Sequence, residues 1–134
     1  MKKDKTINKN KSMTFEEEFL YQQKLFEKRK SLILNYIEGF NDNHPNGIEN
    51  KGLTNNETIK FKTIFSHLDL MSFMVDYIGI QLKIRCENLI KKNKKDLAEA
   101  YENNYKEWAE DFELFKSDVM RKLKQLKLYK GYEK

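Results

Sequence analysis

The chain has 134 residues, with 26 basic against 21 acidic side chains and a formal net charge of +5; this is one domain's worth of polypeptide and too short for two comfortable cores. A single cysteine, Cys86, excludes an internal disulfide framework and a multi-cysteine metal knuckle, and points to a reducing, cytoplasmic compartment. Mean hydropathy is -0.85, yet Leu, Ile, Val and Phe number 35, enough for a folded core.

Of the 26 basic residues 23 are Lys, and only Arg29, Arg85 and Arg121 are Arg. The Lys and Asn bias matches AT-rich coding, as in a low-GC bacterium, its phage or another mobile element. It also weakens any inference of sequence-specific nucleic-acid reading, because bidentate contacts to bases and phosphates are made by Arg.

Residues 1–12 carry five lysines and almost no apolar side chains, so they are expected to form a flexible basic arm that cannot repay the entropy of ordering. The polar run Thr6 to Ser12 stands where a secretion signal would need an apolar stretch of about 7 to 15 residues. Residues 13–129 read as one helical domain, with 130–134 as a frayed tail. Thr14 and Glu17 form a capping box that opens a first helix over about 14–40, with Phe15, Phe19, Phe26, Ile33, Ile37 and Phe40 on one face. Gly39 and the turn-rich Asn41 to Gly47, which contains the only Pro, are expected to end it. That leaves a long loop at 41–53, expected to be disordered, with His44 solvated within it.

Thr54 and Glu57 repeat the capping box and open a second helix over about 55–90. Phe61, Ile64, Leu68, Met71, Val75, Ile78, Leu82 and Leu89 recur at steps of three or four, with only Arg85 interrupting the series, which specifies a long amphipathic helix. A break near Ser66 would give four helices. The series passes through Ser66 without a phase slip, so one helix is expected, bent near Gly79. A second row, Leu70, Phe73, Met74 and Tyr77, predicts a central helix packed on more than one side. Even its most apolar run, Leu68 to Ile80, is interrupted by Asp69, Ser72 and Asp76 and falls short of the roughly 18 apolar residues of a membrane span.

Lys91, Lys92, Lys94 and Lys95 mark a tight turn, and Asp96 signals the start of a third helix over about 96–128. Its expected core face is Leu97, Tyr101, Tyr105, Trp108, Phe112, Phe115, Val119, Leu123 and Leu126. The fold class is therefore all-α, a small bundle of three long antiparallel helices in up-down-up order.

Chemistry is sparsely encoded. Asp69, Ser72 and Asp76 share one helical face, but two turns separate the acids and no neighbouring segment offers the Glu-x-x-His spacing that completes a metal site. His44 and His67 match no zinc or catalytic spacing, and His67 reads as a packed boundary residue. Cys86, beside Arg85, is assigned to the helix surface or the core edge. Glycine-rich phosphate loops and nucleophile elbows are absent from the sequence. The residues thus point to no catalytic, cofactor or metal site, and to a non-enzymatic protein that binds another macromolecule as a regulator, inhibitor or assembly subunit. The expected partner is a protein, met by Tyr101, Tyr105 and Glu110 on the last helix and by Tyr129 and Tyr132 beyond it. The alternative is nucleic acid, gripped with weak specificity by the N-terminal arm and Lys91, Lys92, Lys94 and Lys95. No membrane partner is expected; a homodimer would complete a larger bundle if one apolar face were left open.

Overall fold

A computed structural model describes residues 13–45 and 52–126. The expected basic arm, the middle of the first interhelical loop and the tail with Tyr129 and Tyr132 lie outside the described residues. The rest is an all-α bundle of three helices: α1 (Phe15–Asn43), α2 (Asn55–Lys91) and α3 (Lys95–Gln125). α2, at 37 residues, is about 56 Å long and supplies most contacts to both neighbours, while α1 and α3 touch each other less.

Local chemistry sets the helix ends. Both capping boxes form: the Thr14 and Thr54 hydroxyls each accept from the backbone N–H three residues on at 3.1 Å, and Glu17 and Glu57 reach back to the cap N–H at 3.0 and 3.1 Å. α1 runs past Gly39, where a sequence-based end was expected, to Asn43. The stop is set instead by Pro45, because the residue before a proline is pushed out of the helical region, and His44 sits at φ -135, ψ 69. α2 is unbroken through Ser66. At its far end Asn93 adopts φ 63, the Lys94 N–H donates to the Leu89 carbonyl at 2.8 Å and the Asn93 N–H to that of Ile90 at 3.0 Å. This paired closure, with Asn as the left-handed residue, leaves only Lys92 to Lys94 between α2 and α3.

The core is built from one stripe per helix. On α2 the full expected series is buried, and Cys86 completes it where Arg85 had appeared to interrupt. Cys86 therefore belongs to the core, 4 % exposed, with its thiol against the Ala98 carbonyl; burial first, then Glu102, pushes the thiol up, against a smaller opposing pull from Arg85. On α3 the stripe begins at buried Ala98, and Leu97 points outward. Between α1 and α3 the contact is largely aromatic: Trp108 lies 5.3 Å from Phe19 and 4.5 Å from Phe26, and Phe26 meets Phe112 at 5.7 Å, all tilted or edge-on, the arrangements that ring quadrupoles favour. Much of the chain's aromatic content is thus interior.

The second row of α2 is where expectation and structure part. Met74 packs against the core, but Leu70, Phe73 and Tyr77 face away from both neighbours. One face of α2 serves α1 and α3 together, so the helix is central without being covered all round.

Gly79 has a packing reason. A Cβ built there would lie 2.6 Å from the Tyr105 hydroxyl oxygen and 3.1 Å from Cζ of the same ring. The missing side chain lets Tyr105 reach across from α3 and donate to the Val75 carbonyl at 2.8 Å. Replacing an interior glycine by alanine ordinarily favours a helix by up to about 1 kcal/mol. Here Gly79→Ala is expected to destabilise the fold by about 1–3 kcal/mol, the usual cost of overpacking, measured by urea unfolding. In a Tyr105→Ala background the same change should be neutral or stabilising.

Candidate interaction surface

Two polar nodes hold the bundle at its ends. At one, Glu16 of α1 accepts from the Arg85 guanidinium of α2, Nη2 at 3.0 Å and Nε at 3.2 Å, and from the Tyr101 hydroxyl of α3. The Tyr101 hydroxyl is the main cause holding the Glu16 carboxyl below its ordinary range, with Arg85 adding to it and burial opposing. The Tyr101 phenol is raised in return.

At the other end Glu57 is 5 % exposed and fully engaged. Its oxygens accept from the Thr54 N–H, from Asn43 Nδ2 at 3.1 Å and from His44 Nε2 at 3.0 and 2.9 Å. His44, expected to be solvated, is instead half-buried and ties the end of α1 to the start of α2. Burial pushes the Glu57 carboxyl up, but the donors at Thr54, His44 and Asn43 outweigh it and hold the group below its usual range. Both nodes join helices to one another, and among the described residues no group of three or more His, Cys, Asp or Glu is placed to hold a metal ion.

The sequence-derived site residues fall into different places. Tyr101 and Tyr105 are half-buried, and their hydroxyls are occupied by Glu16 and the Val75 carbonyl, so the aromatic part of the expected α3 surface turns inward. Glu110 is exposed and borders a shallow apolar depression with Ala109, Glu113 and Leu114. Lys91, Lys92, Lys94 and Lys95 are all exposed around the tight turn. Asp69 and Asp76 are exposed and Ser72 half-buried on the side of α2 that faces α3. Asp69 there borders a groove of about 610 Å³ floored by Phe65, Leu68 and Met120, with Lys116 and Arg121 on its rim. His67 is half-buried, as a boundary residue would be; burial and then the charge of Arg29 lower its pKa.

The most prominent exposed feature lies on α2. Leu70, Phe73, Tyr77, Ile80 and Ile84 are 42, 63, 40, 61 and 51 % exposed, and they form one continuous row opposite the buried stripe. Their spacing of three and four over two heptads is the a/d pattern by which helices pack on helices. Together they present roughly 500 Å² of largely apolar surface, at the upper end of what a monomer leaves open without a use. Leu70, Phe73 and Tyr77 were visible in the sequence as a second row. Ile80 and Ile84 extend it at the same heptad spacing, which is the signal in the sequence that finds them.

Among the described residues no helix is long and apolar enough to cross a membrane. Comparison with protein-family models, with curated proteins and with solved structures finds no match to this chain.

The Glu57 node has a pH signature. Its folded carboxyl is held below the ordinary 4.5, so its ionised form contributes stability that is fully present above about pH 4.5 and is lost as pH falls through the lowered folded value. Glu57→Ala, which removes the buried acceptor shared by Thr54, Asn43 and half-buried His44, is expected to cost about 1–3 kcal/mol at neutral pH. The gap between wild type and variant in chemical unfolding should narrow as pH falls below about 4.5.

Proposed function

We propose that this protein acts by protein–protein association, as a small helical regulator, inhibitor or assembly subunit, and that the outward row of α2 is its contact surface. The observation that supports this reading is the row itself. A folded chain keeps five large apolar side chains aligned in water only at a cost in solubility, and such rows mark surfaces that are covered in use. Phe73 and Tyr77, large rings at the middle of the row, are of the types that anchor interfaces. The polar nodes at the two ends of the bundle favour the same reading, because their carboxylates are engaged by donors of the fold and are not held free for a substrate.

A second reading rests on the four exposed lysines of the α2–α3 turn. Clustered point charges at a turn suit a phosphate backbone, and such binding is steeply salt-dependent. Lysines in the last turn of α2 also complement its dipole, which accounts for part of the cluster without a ligand.

The test of the first reading is capture from the native host with wild-type bait and with a Phe73→Glu, Ile80→Lys variant. Both substitutions replace side chains more than half exposed, so the helical signal and melting midpoint should stay close to wild type while a protein captured by wild type is lost. Retention of every captured protein by a folded variant overturns the reading. For the second reading, duplex DNA binding should fall with a log-log salt slope of about -0.9 per phosphate contact and weaken on converting Lys91, Lys92, Lys94 and Lys95 to Gln; absence of binding at low salt dismisses it.

A further inference from the structure

We infer that the outward row of α2 is the seam of a homodimer, in which a second copy of this chain lays its own α2 antiparallel along the first about a two-fold axis near Tyr77. The inference rests on the reading above that the row is a contact surface, and it names the occupant.

Three observations carry it. The first is that the row reads nearly the same in both directions. An axis near Tyr77 sets Leu70 opposite Ile84 of the second copy and Phe73 opposite Ile80, with the two Tyr77 rings meeting at the centre, each match falling within about one residue or 1.5 Å of register. A two-fold interface demands this self-complementarity, since the same patch must serve on both sides.

The second is charge. Asp69, Asp76 and Lys83, all exposed, occupy one flank of the row at successive heptad positions. In an antiparallel pair like flanks meet, so Asp69 of each copy lies opposite Lys83 of the other and two equivalent pairs frame the seam. A parallel pairing in register would lose both, because it sets the Asp69 flanks of the two copies on opposite sides of the seam. The antiparallel arrangement also brings the two Asp76 carboxylates near each other at the axis, its one like-charged contact.

The third is area. The row offers roughly 500 Å² on each copy, about 1,000 Å² in total before the rim is added, which reaches the threshold for a specific interface. The surface is otherwise unobstructed: α1 and α3 both pack on the opposite face, so a second α2 approaches without any helix moving. The product is a six-helix assembly with the two α2 helices at its centre, each covered on both of its apolar sides.

The mass of the purified full chain, followed by sedimentation from about 1 to 100 μM, should be that of two copies in the upper part of the range. Phe73→Glu is expected to weaken self-association at least about thirty-fold, as removal of an interface anchor does, with the melting curve of the dilute monomer unchanged. Asp69→Lys should weaken the dimer and Asp69→Lys with Lys83→Asp should restore it, whereas Asp76→Asn should tighten it by about two- to five-fold. Geometry is read by cross-linking, with buried Cys86 left in place. Tyr77→Cys should form a disulfide dimer under mild oxidation. Leu70→Cys alone should not, because its two copies lie about 21 Å apart along the axis, while a mixture of Leu70→Cys and Ile84→Cys chains should. A monomer at every concentration, or cross-linking of Leu70→Cys to itself, overturns the inference. A monomer whose row is still needed to capture a different protein overturns the dimer alone and leaves the contact surface standing; a monomer with no row-dependent capture removes both.

Discussion

The structure depends on α2 presenting one buried face to two helices at once. The stripe from Phe61 to Leu89 is the shared surface on which α1 and α3 both pack, and it is continuous because Cys86 fills the place between Leu82 and Leu89. Apolar burial is strong but non-directional, and three smooth stripes would tolerate slippage. Register comes from contacts that admit one alignment: Glu16 with Arg85 and Tyr101 at one end, Glu57 with His44 and Asn43 at the other, and Tyr105 over Gly79 between them. The Glu16–Arg85 contact is worth little as an isolated ion pair, since both side chains are about a third or more exposed and exposed pairs contribute little. Its role is positional.

How much of this is legible in the sequence follows the range of the interaction. The capping boxes at Thr14 and Thr54 couple residues three apart, so the chain declares them locally. The stripes likewise need only spacing, and the three helices fall within a few residues of where they are expected. Pro45 outranks Gly39 as the stop of α1 because a glycine merely permits a turn, whereas a proline forces the residue before it out of the helix. What the sequence leaves open depends on partners it does not display. His44 reads as solvated until Glu57 is beside it, and Tyr101 and Tyr105, read both as core-face and as contact residues, are held inward by Glu16, 85 residues away from Tyr101, and by Val75. The outward row of α2 was partly visible, but periodicity alone does not say which of two apolar faces finds a neighbour within the same chain.

Few polar groups in the described structure lack employment. Exceptions lie along the inner face of α1, where Gln22 Oε1 and Arg29 Nη1 are buried without a hydrogen-bond partner, as is Trp108 Nε1 on α3. Gln22 does donate to Glu18 at 3.1 Å, so its side chain is half satisfied. Arg29 lies close enough to His67 of α2 to act on its charge, so its unpaired nitrogen belongs to the side of α1 turned toward α2. The rest of the surface carries the acids of α3 and the lysines of the turn in water, while the conspicuous apolar exposure belongs to α2.

The three-residue closure between α2 and α3 orders the assembly of the fold in time. Tyr105 and Val75 are 30 residues apart and are brought together by a turn whose own backbone supplies the left-handed bend, whereas α1 reaches α3 only across the whole of α2, as Glu16 does to Tyr101 over 85 residues. Short chain closures form first because they cost the least entropy. Both neighbours of α2 are thus joined to it over short stretches of chain, Asn43 to Glu57 over 14 residues, and the aromatic seam around Trp108 between α1 and α3 is the contact with the longest chain to close.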